Sequence, residues 1–202
     1  MLQTKIQLLP AEMELVSSPA IILTKNAILQ KIKLFLEEIQ LKQLDIVKDH
    51  SPGFPPEILK ISPKISRGEN YKGLPWFVLD YPRYFQRNTI FAIRTMFWWG
   101  NFFSITLHLS GSNKTIFSEK IISNIEILKE NDFYVYEGKD EWEHDPEPNS
   151  FKKLSSMSRD EFKKIISANS FLKLAIKFPI EPFEAIEEKL VRSYKLLVKC
   201  CC

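Results

Sequence analysis

Cysteine is scarce in this chain, and its three copies are all in one place, Cys200, Cys201 and Cys202. None of them can staple the body of the fold, so the interior owes nothing to disulfides. Terminal cysteine runs of the prenylated kind accompany small GTPases, and the sequence holds no GxxxxGK[ST] loop. The tail therefore reads as a frayed end without a role.

Glycine is equally sparse, with six residues in 202, and no dinucleotide fingerprint or nucleophile elbow occurs. Metal-binding spacings are missing too, so neither a cofactor nor a metal is expected and no reaction class follows. No apolar run approaches a membrane span, and the first residues lack the basic, apolar and small-residue order of a signal peptide. The expected location is the cytoplasm, with no membrane partner. A net charge of +3 is too small to imply nucleic acid, and no RNP-like stretch supports it.

What the chain does have is aromatic and β-branched residues concentrated between Phe91 and Gly111, FAIRTMFWWGNFFSITLHLSG. Gly100-Asn101 interrupts the run at mid-length, which predicts two strands folded into a hairpin. In the second strand Phe103, Ile105, Leu107 and Leu109 alternate with Ser104, Thr106, His108 and Ser110. The first strand divides into Phe91, Ile93, Thr95 and Phe97 against Ala92, Arg94, Met96 and Trp98.

Pairing is the open question. A two-residue Gly-Asn loop would set Arg94 among the aliphatics, which costs several kcal/mol without a carboxylate partner. An odd loop, or a bulge at Trp98-Trp99 or Phe102-Phe103, shifts the register by one and gathers the apolar residues on one side. Burying them stabilises by roughly 1.5–3 kcal/mol each, which outweighs any turn preference. On that register Arg94, Met96, Trp98, Ser104, Thr106 and His108 share the opposite face.

The rest of the chain is read around this ribbon. A short strand is expected around Lys5 to Leu9, and a helix capped by Thr24 or Asn26 carries Ile28, Leu29, Ile32, Phe35, Leu36 and Ile39 at helical spacing. Proline and glycine after His50 end it. Leu74 to Tyr81 reads as a buried strand, preceded by a connection in which Arg67, Tyr71 and Lys72 flank glycines and could cradle an anion.

Asp80 shares a face with Trp76 and Val78, within reach of Arg94 or His108. Past Gly111 come a turn, an amphipathic helix to Glu130 and a short strand at Phe133–Tyr136. The acidic run from Asp140 to Glu147 fits no metal-loop pattern and reads as a solvated loop. Ser158 and Glu161 form a capping box, Phe171 to Ile180 alternates as a strand, and a long helix follows Pro182.

The fold class expected is α+β, one domain over residues 1–202, with an antiparallel sheet centred on the 91–110 hairpin, helices on one face and a mainly helical portion from about 150. Two functions fit. One is a small anionic or aromatic ligand on the polar face: Arg94 holds the anion, His108 acts as acid or base, Trp98 with Tyr71 or Tyr81 walls the organic part, and Ser104, Thr106, Asp80, Arg67 and Lys72 complete the set. The other is an interaction module or homo-oligomer that uses Trp98, Trp99 and Phe102 at the hairpin tip as an exposed anchor.

Overall fold

The computed structural model describes residues 6–145 and 150–202. Two prolines open the first two helices from their first position, where the missing N–H is not needed: α1 (Pro10–Ser17) and α2 (Pro19–Asp49). Helix α2 thus starts at Pro19 rather than at Thr24 or Asn26, and Ala20 to Leu23 form its first turn. Ile6 to Leu9 are not a strand, and Lys5, where that strand was expected to begin, lies outside the described residues.

A 3-10 turn at Ser51–Gly53 and the short α3 (Pro56–Leu59) lead into four antiparallel strands: β1 (Lys64–Tyr71), β2 (Leu74–Gln86), β3 (Thr89–Trp98) and β4 (Phe102–Ser110). Next come α4 (Gly111–Ser123), α5 (Ile125–Glu130), β5 (Tyr134–Tyr136), β6 (Phe151–Lys153), α6 (Arg159–Ala168), β7 (Phe171–Pro179) and α7 (Ile186–Cys201). The protein is α+β, with one seven-stranded antiparallel sheet in the order β1-β2-β3-β4-β7-β5-β6. The portion from about 150 is mainly helical, through α6 and α7, and it also supplies β7, which lies beside β4 in mid-sheet.

The hairpin pairs Trp98 with Phe102, Arg94 with Thr106 and Ala92 with His108, so its loop has three residues, Trp99, Gly100 and Asn101. Gly100 takes φ 71°, the left-handed conformation that the third position of a type II turn requires, and the Asn101 N–H reaches the Trp98 carbonyl at 3.1 Å. An odd loop gives the register that hydrophobic burial favoured. Phe91, Ile93, Phe97, Phe103, Ile105, Leu107 and Leu109 all lie in the main core. Gly111, at φ 54°, starts α4 where a Cβ would stand 2.0 Å from the Asn88 carbonyl oxygen.

Helices α2, α4, α6 and α7 cover that dry face. In α2 the buried residues Leu29, Ile32, Leu36, Ile39, Gln43 and Ile46 recur every three or four positions. Gln43 is the polar member, and it bonds Thr95 Oγ1 at 2.8 Å in mid-core. Helix α7 contributes Leu190, Tyr194, Leu197, Val198, Cys200 and Cys201. The cysteine tail is therefore not frayed: Cys200 and Cys201 end a core helix, and burial pushes the Cys200 thiol up to about 11.

Strand β2 slips register between Asp80 and Arg83, so Tyr81 has no paired residue on β3. The buried Tyr194 hydroxyl donates to the Tyr81 carbonyl at 2.9 Å, tying α7 to the sheet. Replacing Tyr194 by Phe strands a buried carbonyl, and a loss of about 1–3 kcal/mol is expected in urea unfolding of the variant against the wild type.

Candidate functional site

Arg94 stands at the centre of the sheet's second face, directly opposite Asp80 on β2 and Thr106 on β4. Its guanidinium holds the Asp80 carboxylate by two parallel bonds, Nε to Oδ1 at 2.7 Å and Nη2 to Oδ2 at 2.8 Å. The third edge, Nη1, donates to His144 Nε2 at 2.7 Å. A guanidinium cannot accept, so that imidazole nitrogen carries the lone pair and a neutral ring holds its proton on Nδ1. Nδ1 is buried with no hydrogen-bond partner.

His144 belongs to the acidic segment that reads as a solvated loop in sequence. In the structure Asp140 to Asp145 lies across the polar face and closes it. Three sheet residues and Lys72 of the β1–β2 turn hold it down. Lys173 donates to the carbonyls of Glu141, at 2.7 Å, and Glu143. Tyr71 donates its hydroxyl to the Glu143 carboxylate, Lys72 meets Asp145 at 2.9 Å, and Arg94 binds His144. Burial opposes ionisation of Glu143, but donation from Tyr71, the amides of Asp145 and His144, and nearby Lys72 outweigh it and hold the carboxyl below its usual range.

Lys173 faces His108 across the β4–β7 ladder and is only 1% exposed. Among the described residues no carboxylate touches its ammonium. Burial, and then repulsion from Arg94, bring its pKa down to about 7. His108 is buried between Trp142 and Phe171, with ring centroids at 5.7 and 5.9 Å. Its Nε2 has no hydrogen-bond partner, and Glu141 Oε2 stands 3.5 Å away. Burial, and then Lys173 and Arg94, push His108 down to about 3, and the same causes hold His144 well below the usual imidazole range. His108 is therefore neutral at pH 7, able to accept or donate a hydrogen bond there. Lys173 is the group that titrates near neutrality.

Six of these side chains, Arg94, Thr106, His108, Trp142, His144 and Lys173, line a void of about 10 Å³, the size of one water. Of the residues predicted from sequence, Arg94, Asp80, Thr106 and His108 come together here. Tyr71 and Lys72 act from the rim by anchoring the segment. Ser104 and Trp98 share the face but not the void: Ser104 lies opposite Met96, and Trp98 packs with Val78, Met96, Phe102 and Tyr71.

Arg67 is not in the site. It pairs with Phe77 of the helix-facing layer, so it projects to the other side of the sheet. Tyr81 is likewise in the core under the helices. Nor is the hairpin tip an exposed anchor: Trp98 and Phe102 are buried beneath Tyr71, Leu74 and Trp76 of the neighbouring hairpin, and only Trp99 is half-exposed.

Lys173, His144 and Glu141 carry no signal in any sequence motif. The β7 alternation does place Lys173 on the same face as His108 once the strands are paired. An open depression of about 670 Å³ lies elsewhere, beside Lys153, Lys177, Lys189 and Arg192. Its cations sit on long surface side chains, Lys153 already paired with Asp132 at 2.7 Å, so it lacks the buried charge of the β3–β4 site. Comparison with protein-family models, curated proteins and solved structures finds no match, and the geometry alone carries the functional argument.

The depressed histidines fix how stability responds to acid. The unfolded chain binds a proton at His108 near pH 6.5, the folded one only near 3, so the contribution is complete above 6.5 and is lost as pH falls towards 3. Wild-type stability should fall by about 1.4 kcal/mol per pH unit for this proton between pH 6 and 4. In His108→Gln, urea unfolding across the same range should show a slope shallower by one proton.

Proposed function

We propose that the protein binds a small anionic ligand, a carboxylate or phosphate with an apolar body, on the polar face that the 140–145 segment now covers. The observation that carries this reading is the buried Lys173 ammonium, whose hydrogen bonds among the described residues go to the main-chain carbonyls of Glu141 and Glu143, with the Tyr136 ring 5.6 Å away. The carboxylates of Glu143, Asp140 and Glu141 act on it without touching it. A charge placed at the centre of a sheet without a contacting carboxylate is costly, and an anion that meets it directly recovers that cost.

The segment resembles the ligand it stands in for. Its carboxylates and carbonyls occupy donors on Tyr71, Lys72 and Lys173, and its fit is imperfect: a water-sized void remains, with unpartnered nitrogens on His108 and His144. In the bound state the anion takes the place of the two carbonyls at Lys173. Arg94, already neutralised by Asp80, orients it through the free edge that His144 leaves. The apolar body lies against Phe85 and Ala92, where Trp142 packs in the closed form.

The ligand competes with the segment, so its apparent affinity is lowered by the fraction of molecules in the closed state. Binding also needs the ammonium form of Lys173, and affinity should decline as pH rises through about 7.

A thermal-shift series with benzoate, glutarate and inorganic phosphate tests the reading. At least one probe should raise the Tm of the wild type. Lys173→Met should remain folded and lose the shift. Glu143→Gln with Asp145→Asn, which weakens the segment's outer anchors by about 0.2–1 kcal/mol each, should bind roughly two- to thirtyfold tighter. No shift with any probe, in the wild type and in the weakened variant alike, contradicts the proposal.

A further inference from the structure

Helix α1 buries none of its residues. An eight-residue helix is marginal in water and takes its stability from packing an apolar face, which α1 does not do within the protomer. It is also not polar: Met13, Leu15 and Val16 are exposed, Val16 to 69%. The exposure continues on both sides, through Ile6, Leu8 and Leu9 before it and Ile21, Ile22 and Leu23 after it. Among the described residues, most of the large apolar side chains left exposed fall between residues 6 and 28. Monomers seldom leave such a concentration uncovered.

Beside it lies a groove of about 580 Å³ between the first turns of α2 and the tips of two hairpins, walled by Ile21, Lys25, Ile28, Leu74, Pro75 and Trp99. Its lining is mainly apolar, and its one charged wall residue, Lys25, is paired with Glu69 at 2.6 Å. Groove and helix are therefore matched in hydrophobicity. They cannot meet within one protomer, because only Ser18 separates α1 from α2, and helices that fold back antiparallel need a loop of about two to five residues.

We infer that the occupant of this groove is α1 of a second copy of this chain, seated reciprocally in a two-fold dimer. One operation fills two grooves and covers both unpacked helices. The apolar side chains available, on the order of 100 Å² each, supply the roughly 800 Å² per partner that a stable interface needs.

Sedimentation of the full chain from 1 to 100 µM tests this. The wild type should run as a dimer. Leu15→Ser/Val16→Ser in α1, and Ile21→Ser/Ile28→Ser in the groove, should each weaken dimerisation at least tenfold while keeping the wild-type circular dichroism. An equimolar mixture of the two variants should recover dimer, because one contact of the pair is then intact. A wild type that stays monomeric at 100 µM, a dimer indifferent to either variant, or a mixture without recovery overturns the inference. So does a monomer that instead binds phosphatidylcholine/phosphatidylserine vesicles through these residues.

Discussion

The three-residue loop at Trp99–Asn101 sets the parity on which the rest of the structure depends. With one residue fewer, Arg94 would enter the layer of Leu107 and Leu109, and every apolar side chain of β4 would face the wrong strand partner. With three, the dry face gathers Phe91, Ile93, Phe97 and Phe103 for α2, α4 and α7 to cover, and the charged face gathers Arg94, Thr106 and His108. The core and the candidate site are thus two consequences of one register.

Energetics distinguish the two faces. The helical side is stabilised by ordinary hydrophobic burial, with Gln43 Nε2 and the Tyr194 hydroxyl each meeting a partner and Gln43 Oε1 left without one. The other side buries a guanidinium, an ammonium and two imidazoles under a segment that supplies carboxylates at its edges and carbonyls at its middle. Apolar side chains of similar volume would cover a sheet at less cost, since desolvating charges takes back much of what their pairing returns. Asp80 offsets this for Arg94 by a two-bond contact, and among the described residues no carboxylate touches Lys173 in the same way. The proposed ligand rests on that asymmetry rather than on the mere presence of charge.

Much of this was legible in the chain and some was not. Alternation in β4 and the cost of burying Arg94 were enough to choose the register, and Asp80 fell within reach of Arg94 by strand parity alone. The alternation of β7 is visible in the sequence, but nothing local says that β7 joins β4 in mid-sheet, so Lys173 is not placed beside His108. The acidic segment was misjudged for a related reason: its anchors, Tyr71, Lys72, Arg94 and Lys173, are all remote in sequence. The cysteine tail did carry a signal, since Cys201 continues the stripe of Tyr194 and Leu197 at helical spacing. Arg67 was placed by its neighbouring glycines, and pairing with Phe77 turns it to the other side.

The central claim is that the 140–145 segment occupies a site built for an anion. Amide hydrogen exchange of the full chain, with and without saturating benzoate or phosphate, tests it most directly. The account expects the Trp142, Glu143 and Asp145 amides to exchange faster on binding, while β3 and β4 stay protected. Unchanged or greater protection of those amides, at probe concentrations that demonstrably bind, would contradict it.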